Sequence, residues 1–504
     1  MEISILKLIF IIALVGVNVF KVESQCLFEG CTCMAVESAP TYFNISCPDD
    51  KSLKTSYPNR NLTAVNMTNI NIFKLSDYTA STAPKLNFSG IKFATISFIN
   101  NQFVSIDNDS FFTVDSLTKL EIKDNAKFSS IQATAFKKLS GFLAELILLE
   151  NLLGAMDSAS KMEIGSLASL KRLTLGKTLT SLDIDLSNMK NLVYLDLSGN
   201  KITELKDTSF KNLVALEELK LSSNMLNNTL SLTVFSNLSS LKTLDLSKNY
   251  IKEIKSTMIP KNLMTLDLSS NQISNIDPTA FQSLTSLTVL KLMTNKLTTL
   301  DSNLFSKLSK LQTLDLSDNN LVAVPNIYNL ASLELLDLTN QNGKLEMIAD
   351  KAFDRESSTN LTIRMFNNMI KSIGNQTFCT KKSLSVYRFD LPYSFMTSMH
   401  ACHFKQIRNQ TSNNLVGINL DNSKGQATNL NFTCCNLKVL ANNSVSLSYV
   451  DNMLCQPVNC SLVNMVENSN CYSKPEYSCP VYTSSADKQK DCSEFRTTKT
   501  QLYQ

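Results

Sequence analysis

The sequence predicts an α/β solenoid, a stack of short repeated units sharing one parallel β-sheet. Three observations carry this prediction. The chain repeats itself: Leu263 to Leu287 reads LMTLDLSSNQISNIDPTAFQSLTSL, and from Leu287 the pattern begins again as LTVLKLMTNKLTTLDSNLFSKLSKL. Leu263, Leu266, Leu268, Asn271, Ile273, Ile276 and Phe281 recur as Leu287, Leu290, Leu292, Asn295, Leu297, Leu300 and Phe305. A period of about 20–50 residues marks a chain whose units cannot bury their apolar faces alone and must stack. Within each unit, leucines such as Leu266 and Leu268 alternate with polar residues, the period of a strand buried on one face. Finally, the 13 cysteines fall into two groups with none between Cys47 and Cys379. Disulfides at the two ends are what an open stack needs to close its terminal edges.

The repeated element is LxxLxLxxNxL followed by a variable half. Its asparagine slot falls at Asn101, Asn125, Asn151, Thr178, Asn200, Asn224, Asn249, Asn271, Asn295, Asn319, Gln341 and Asn368. The intervals run from 22 residues (Asn249 to Asn271) to 27 (Gln341 to Asn368). A degenerate copy ahead of these places Leu62, Val65, Met67, Ile70 and Ile72 in the key positions. The asparagine amide offers two donors and an acceptor to backbone groups left unpaired where the strand ends, so stacked copies form a ladder. The variable half carries a phenylalanine (Phe111, Phe136, Phe210, Phe235, Phe281, Phe305, Phe378) that fills the interior from the side opposite the strand.

This pattern resembles the leucine-rich repeat of extracellular proteins. The shorter, proline-containing copies IKEIKSTMIPKNL and LVAVPNIYNLASL are similar to its Toll-type variant. The resemblance implies a horseshoe whose parallel β-sheet lines the concave side, with disulfide-rich caps at both ends. It also implies a recognition module rather than an enzyme. Cys26, Cys31, Cys33 and Cys47 resemble the N-terminal cysteine cap of that family. Spacing alone leaves three pairings open; the resemblance implies Cys26–Cys33 and Cys31–Cys47. Near the other end LSVYRF (384–389) and LVGINL (415–420) read as further strands, and LNFTCCNL puts Cys435 in the asparagine slot. The nine cysteines from Cys379 onward are odd in number, so one thiol is free or joins another chain, giving a disulfide-linked oligomer.

Residues 1–24 read as a secretory signal: Lys7, an apolar run from Leu8 to Val19, then Val22 and Ser24 at a cleavage site before Gln25. The expected organisation is therefore a signal peptide (1–24), an N-terminal cysteine cap (25–60) and a solenoid (61–378). Degenerate repeats and a Cys-rich cap (379–480) and a polar tail (481–504) follow. No later segment reaches the ~20 apolar residues of a membrane span, and the polar end does not fit a lipid-anchor signal. The expected product is secreted, extracellular and without a membrane anchor.

Net charge is +4, from 48 basic and 44 acidic residues, too balanced to make nucleic acid the main partner. With 12 glycines and no tryptophan, glycine-rich phosphate loops are not expected, and no cofactor is implied. His400, Cys402 and His403 form the strongest catalytic lead, because the chain has only these 2 histidines. A zinc site would need further paired ligands at short spacing, and the neighbouring cysteines suit disulfides better. No metal site or catalytic motif is assigned.

The outward strand positions carry the functional reading. They place Tyr194, Asp196, Lys220, Asp245, Asp267, Lys291, Met293, Asp315 and Asp337 on the concave face as candidate ligand contacts. The alternative for the aspartates is that LDLS is a common repeat sequence whose carboxylate only solvates the sheet. Sequons occur at Asn44, Asn61, Asn66, Asn87, Asn108, Asn227, Asn237, Asn360, Asn375, Asn409, Asn431, Asn442 and Asn459, with none between Asn237 and Asn360. In an exported chain they are glycosylation acceptors on surface positions. The reading is a glycoprotein binding a protein or glycan ligand. Two alternatives from other classes stand beside it: an extracellular hydrolase with its site in the Cys-rich module, and a structural matrix component.

Overall fold

The computed structural model describes most of residues 69–373, and further strands at 32–36, 39–47, 387–392, 416–421 and 445–449. The chain forms two compact units, Met1–Lys220 and Leu221–Gln504.

In the first unit, Thr32–Val36 and Ala39–Cys47 form an antiparallel pair. From there every step is parallel. Ala39–Cys47 pairs with Asn69–Ser76, which pairs with Lys92–Ile99, then Ser116–Lys123 and Glu145–Leu149. Arg172–Leu175, Tyr194–Asp196 and Glu218–Lys220 complete the series. The second unit repeats the arrangement through Thr243–Asp245, Thr265–Asp267, Val289–Lys291, Thr313–Asp315, Leu335–Asp337 and Leu361–Arg364. Parallel neighbours cannot be joined by a tight hairpin, so each variable half returns the chain to the start of the next strand.

The inward residues are those expected. Leu244, Leu266, Leu290, Leu314, Leu336 and Ile363 stack in register and are fully buried. On the far side of the interior the expected phenylalanines Phe111, Phe136, Phe210, Phe235, Phe281 and Phe305 are all buried, and Phe353 joins them. Phe378 lies outside the described residues. Phe98, Phe103 and Phe128 add edge-on contacts in the first unit, with ring centroids 5.6 Å apart at each step. Leu300 is only half-buried, unlike its counterpart Ile276.

The expected solenoid with its parallel sheet is present, and two details differ from the expectation. The α component is small: among the described residues one α-helix occurs, Ser158–Gly165, capped by Asp157, whose Oδ1 accepts from the Ser160 amide at 2.8 Å. It sits in the interval from Asn151 to Thr178, one of the two longest. The shorter return legs are turns, such as Ala280 N–H to Asp277 O and Leu284 N–H to Phe281 O, with short parallel pairs such as Glu253–Ile254 against Asn275–Ile276. A leg of so few residues, held inward by its phenylalanine, has no room for a second helical turn. The second difference concerns the first repeat. Ile70, Phe73 and Leu75 are its inward residues, in register with Phe93, Ile96 and Phe98, and the buried Tyr78 occupies its slot. Ile70 is thus a strand-opening residue, and Ile72 is turned outward and 37% exposed. Leu62, Val65 and Met67 lie outside the described residues.

The strands expected beyond the regular array are present as Tyr387–Pro392 and Val416–Asp421, both parallel to their predecessors. The next described strand in the sheet is Val445–Tyr449, and the LNFTCCNL stretch lies outside the described residues. Cys435 lies outside the described residues, as do Cys26 and Cys31; of Cys33 and Cys47 only the strand backbone is described. Among the described residues no helix is long and apolar enough to cross a membrane.

Candidate ligand-binding face

The face is held by the asparagine ladder. Asn271 Nδ2 donates to the carbonyls of Leu246 (3.0 Å), Leu268 (3.0 Å) and Ser269 (3.2 Å), and its Oδ1 accepts from Ile251 N–H at 3.1 Å. Asn295 and Asn319 repeat the scheme. Gln341 fills the same role with Nε2 on Leu316 O at 2.9 Å and Oε1 on Leu321 N–H at 3.0 Å. Thr178 does not bury like the others. Its hydroxyl reaches Asn151 O at 3.1 Å and accepts from Gly154 N–H at 3.0 Å. Each amide therefore ties two successive turns together.

The residue before each slot was not anticipated. Asp124, Glu150, Ser223, Lys248, Ser270, Thr294, Asp318 and Asn340 all sit at φ between 53 and 56°. The left-handed conformation costs an L-residue about 1–2 kcal/mol. It is over-determined here, since the same residue's amide bonds the next turn: Ser270 to Met293 O and Thr294 to Ser317 O, at 2.8 and 2.9 Å. Gly199 is the one glycine of this column and its only sequence signal.

Beyond the ladder, the residues on either side of each inward leucine form the open face. In the second unit the residue after it is Asp245, Asp267, Lys291, Asp315, Asp337 and Arg364, aligned strand to strand. The residue before it is Thr243, Thr265, Val289, Thr313, Leu335 and Thr362, an uncharged strip. All except the exposed Arg364 are half-buried, as is Met293. Every aspartate of the column has a structural duty. Asp245, Asp267, Asp315 and Asp337 each accept, through Oδ1, the amide two residues on, at 2.9–3.0 Å. The LDLS sequence is therefore partly a turn device, and only the second carboxylate oxygen is left for a ligand. Lys291 lies 3.4 Å from Asp267 Oδ2, and Arg364 3.6 Å from Asp337 Oδ2.

Burial, together with the charge of Asp337, holds the Asp315 carboxyl above its ordinary range, against the Ser317 bonds and Lys291, which pull it down. A raised folded value means that folding binds a proton more tightly than the unfolded chain does. The stability attached to this group is complete below about pH 3.8, the unfolded value, and is lost as pH rises through the folded one. Asp315→Asn keeps an acceptor for the Ser317 amide and cannot ionise. Its denaturation midpoint relative to the parent is expected to be higher at pH 7 than at pH 4. A pH-independent difference would count against an ionised, half-buried carboxylate.

In the first unit, Tyr194, Asp196 and Lys220 come together as expected. Tyr194 Oη donates to Asp196 Oδ2 at 3.1 Å, and Lys220 Nζ lies 5.2 Å from the ring centroid. Sequence reasoning missed the neighbours in the column before the inward residue: Lys119, Glu145, Arg172 and Glu218, all in register with Tyr194's strand or linked through it. The Arg172 guanidinium stacks 3.7 Å over the Tyr194 ring and approaches Glu145 at 3.8 Å, while Lys220 pairs with Glu218 at 3.1 Å. Carrying the count of the Tyr194 position through every repeat would have found them. Burial, with the Asp196 charge, raises the Tyr194 phenol; the Lys220 ammonium is lowered by its own desolvation but raised on balance by its bonds to Glu218 and Tyr194.

Among the described residues no group of His, Cys, Asp and Glu is arranged to hold a metal. His400, Cys402 and His403 lie outside them.

A family model described as "Leucine rich repeat" matches residues 168–226, 190–251 and 261–321, and a "BspA type Leucine rich repeat region (6 copies)" matches 61–159. The fold is that of a leucine-rich repeat protein. A curated relative, the transforming growth factor beta activator LRRC33 of Danio rerio, is 26% identical over 193 residues, 36% of this chain. The chain spans only 27% of that relative's length. Among solved structures, Toll in the Toll–Spatzle complex of Drosophila superposes with a TM-score of 0.54 at 21% identity. That match covers 68% of this chain and 47% of the other. The TLR13–ssRNA13 complex gives 0.53 at 19% identity, over 80% of this chain and 73% of the other. Both likenesses concern the fold.

Proposed function

We propose that this leucine-rich repeat protein is a secreted, non-catalytic glycoprotein that recognises a protein ligand on its open sheet face. In this reading residues 1–24 direct export, 25–60 and 379–480 cap the array through disulfides, and the sequons carry glycans. The observation that carries it is the second unit's face: Asp245, Asp267, Asp315 and Asp337 in one aligned column beside an uncharged strip. A partner with a basic patch and an apolar ridge is the complement of that surface. The related structures include one solved with a protein and one with RNA, so the fold admits either. A mostly acidic column repels phosphates, and the curated relative's name is that of a growth-factor activator. Protein is therefore favoured over nucleic acid, and over a neutral glycan.

The sequon-free interval from Asn237 to Asn360 spans this column. Introducing a glycan there by Lys291→Asn together with Met293→Thr is expected to abolish capture of the partner that the parent chain retains from extracellular fluid. Parent binding is also expected to weaken with added salt, because exposed charge pairs are screened over about 8 Å at physiological ionic strength. A glycosylated, folded variant that captures the partner as well as the parent does would exclude this face as the site.

A further inference from the structure

The second strand of the first unit carries a sequon in an unusual place. Ala39–Cys47 contains Asn44, Ile45 and Ser46, and its register sets Asn44 opposite Ile72, Ile45 opposite Phe73 and Ser46 opposite Lys74. Ile45 and Phe73 are buried in the core, 1% and 0% exposed, whereas Ile72 is 37% exposed. Alternation along the strand therefore puts Asn44 and Ser46 on the open sheet face. The column of Asn44 continues through Ile72 and Thr95 to Lys119, Glu145, Arg172 and Tyr194. By contrast, Asn108 and Asn237 are exposed on return legs, well past the asparagine slot.

The amide is also set for modification. Asn71 Nδ2 donates to Asn44 Oδ1 at 3.1 Å. That bond uses the carbonyl, which a glycosylated asparagine retains, and not Nδ2, the atom that takes the sugar. A glycan attached to Asn44 would keep its hydrogen bond to the neighbouring strand and project from the face.

We infer that Asn44 is an N-glycosylation site on the open face of the first unit's sheet, and that its glycan closes the strands around Asn69–Ser76 to a docking protein. The glycan covers the exposed Ile72, which otherwise offers an apolar spot to other chains. A partner settling there would have to displace or desolvate a bulky, hydrated oligosaccharide. Docking on the first unit is thereby confined to the far strands, where Arg172, Tyr194 and Lys220 stand. The inference rests on the reading of the chain as exported.

The test is peptide mapping of the full chain secreted from animal cells, with enzymatic deglycosylation in heavy-oxygen water marking each occupied asparagine. Label is expected at Asn44, Asn108 and Asn237. Label at Asn108 and Asn237 with Asn44 bare overturns the inference alone; all three bare overturns the export reading with it. Shielding has its own readout, acylation of Lys74 by a bulky polymer-linked amine reagent, normalised to Lys291. The rate at Lys74 is expected to rise severalfold in both Ser46→Ala and Asn44→Gln. An unchanged ratio, with Asn44 occupied in the parent, would show that the glycan leaves this face open.

Discussion

Asn271→Ala is expected to lower the stability of the second unit by about 2–4 kcal/mol, since it leaves several buried backbone groups without partners. Asn271 is 8% exposed, and its amide serves carbonyls of Leu246, Leu268 and Ser269 and the amide of Ile251. No water reaches these groups in place of the lost side chain without opening the turn. Because Leu246 and Ile251 belong to the preceding repeat, the loss also weakens the seam between two repeats. Lys291→Ala is the matched control on the next strand. It removes a half-exposed ion pair with Asp267, the kind of contact worth about 0–1 kcal/mol. Denaturant midpoints with unchanged slopes give the comparison, and equal midpoints would remove the ladder from the account of stability.

What was legible in the sequence was whatever repeats with fixed spacing. The slot residues, the inward leucines and the aligned column from Asp245 to Asp337 follow from counting alone, because each serves the same geometric role in every turn. The first repeat was misplaced because Leu62, Val65 and Met67 have the same spacing as the inward residues Ile70, Phe73 and Leu75, so counting alone fits both frames. Composition could not show the left-handed residue before the slot. Asp, Glu, Ser, Lys, Thr and Asn all occupy it, held by backbone bonds rather than by side-chain preference. The acidic column was read as available charge, yet half of each carboxylate closes its own turn. That role is visible only in the distance from Asp267 Oδ1 to the Ser269 amide, 3.0 Å. The charged neighbours of Tyr194 escaped because the count was carried through every repeat only for the residue after the inward leucine, whereas Arg172 and Tyr194, adjacent across the sheet, precede it.

Phe281→Ala is expected to cost about 3–5 kcal/mol, the range for emptying a buried aromatic site. Phe281 is fully buried, and its ring lies parallel to that of Phe305 in the next repeat, planes 6° apart and centroids separated by 6.4 Å. The two rings fill the side of the interior opposite the main sheet, where the return legs are largely turns. Collapse into the vacated space would need the turn at Asp277 to Leu284 to move inward, but its amides are already committed to local bonds such as Ala280 to Asp277 O at 2.9 Å. The cavity therefore persists, and its cost adds to the lost transfer energy. Phe305→Ala should cost a similar amount. The double variant should cost less than the sum of the two, because either substitution alone already removes the ring contact. Denaturant unfolding of the parent, both single variants and the double variant measures this coupling; strict additivity would mean that the two repeats are packed independently on this side.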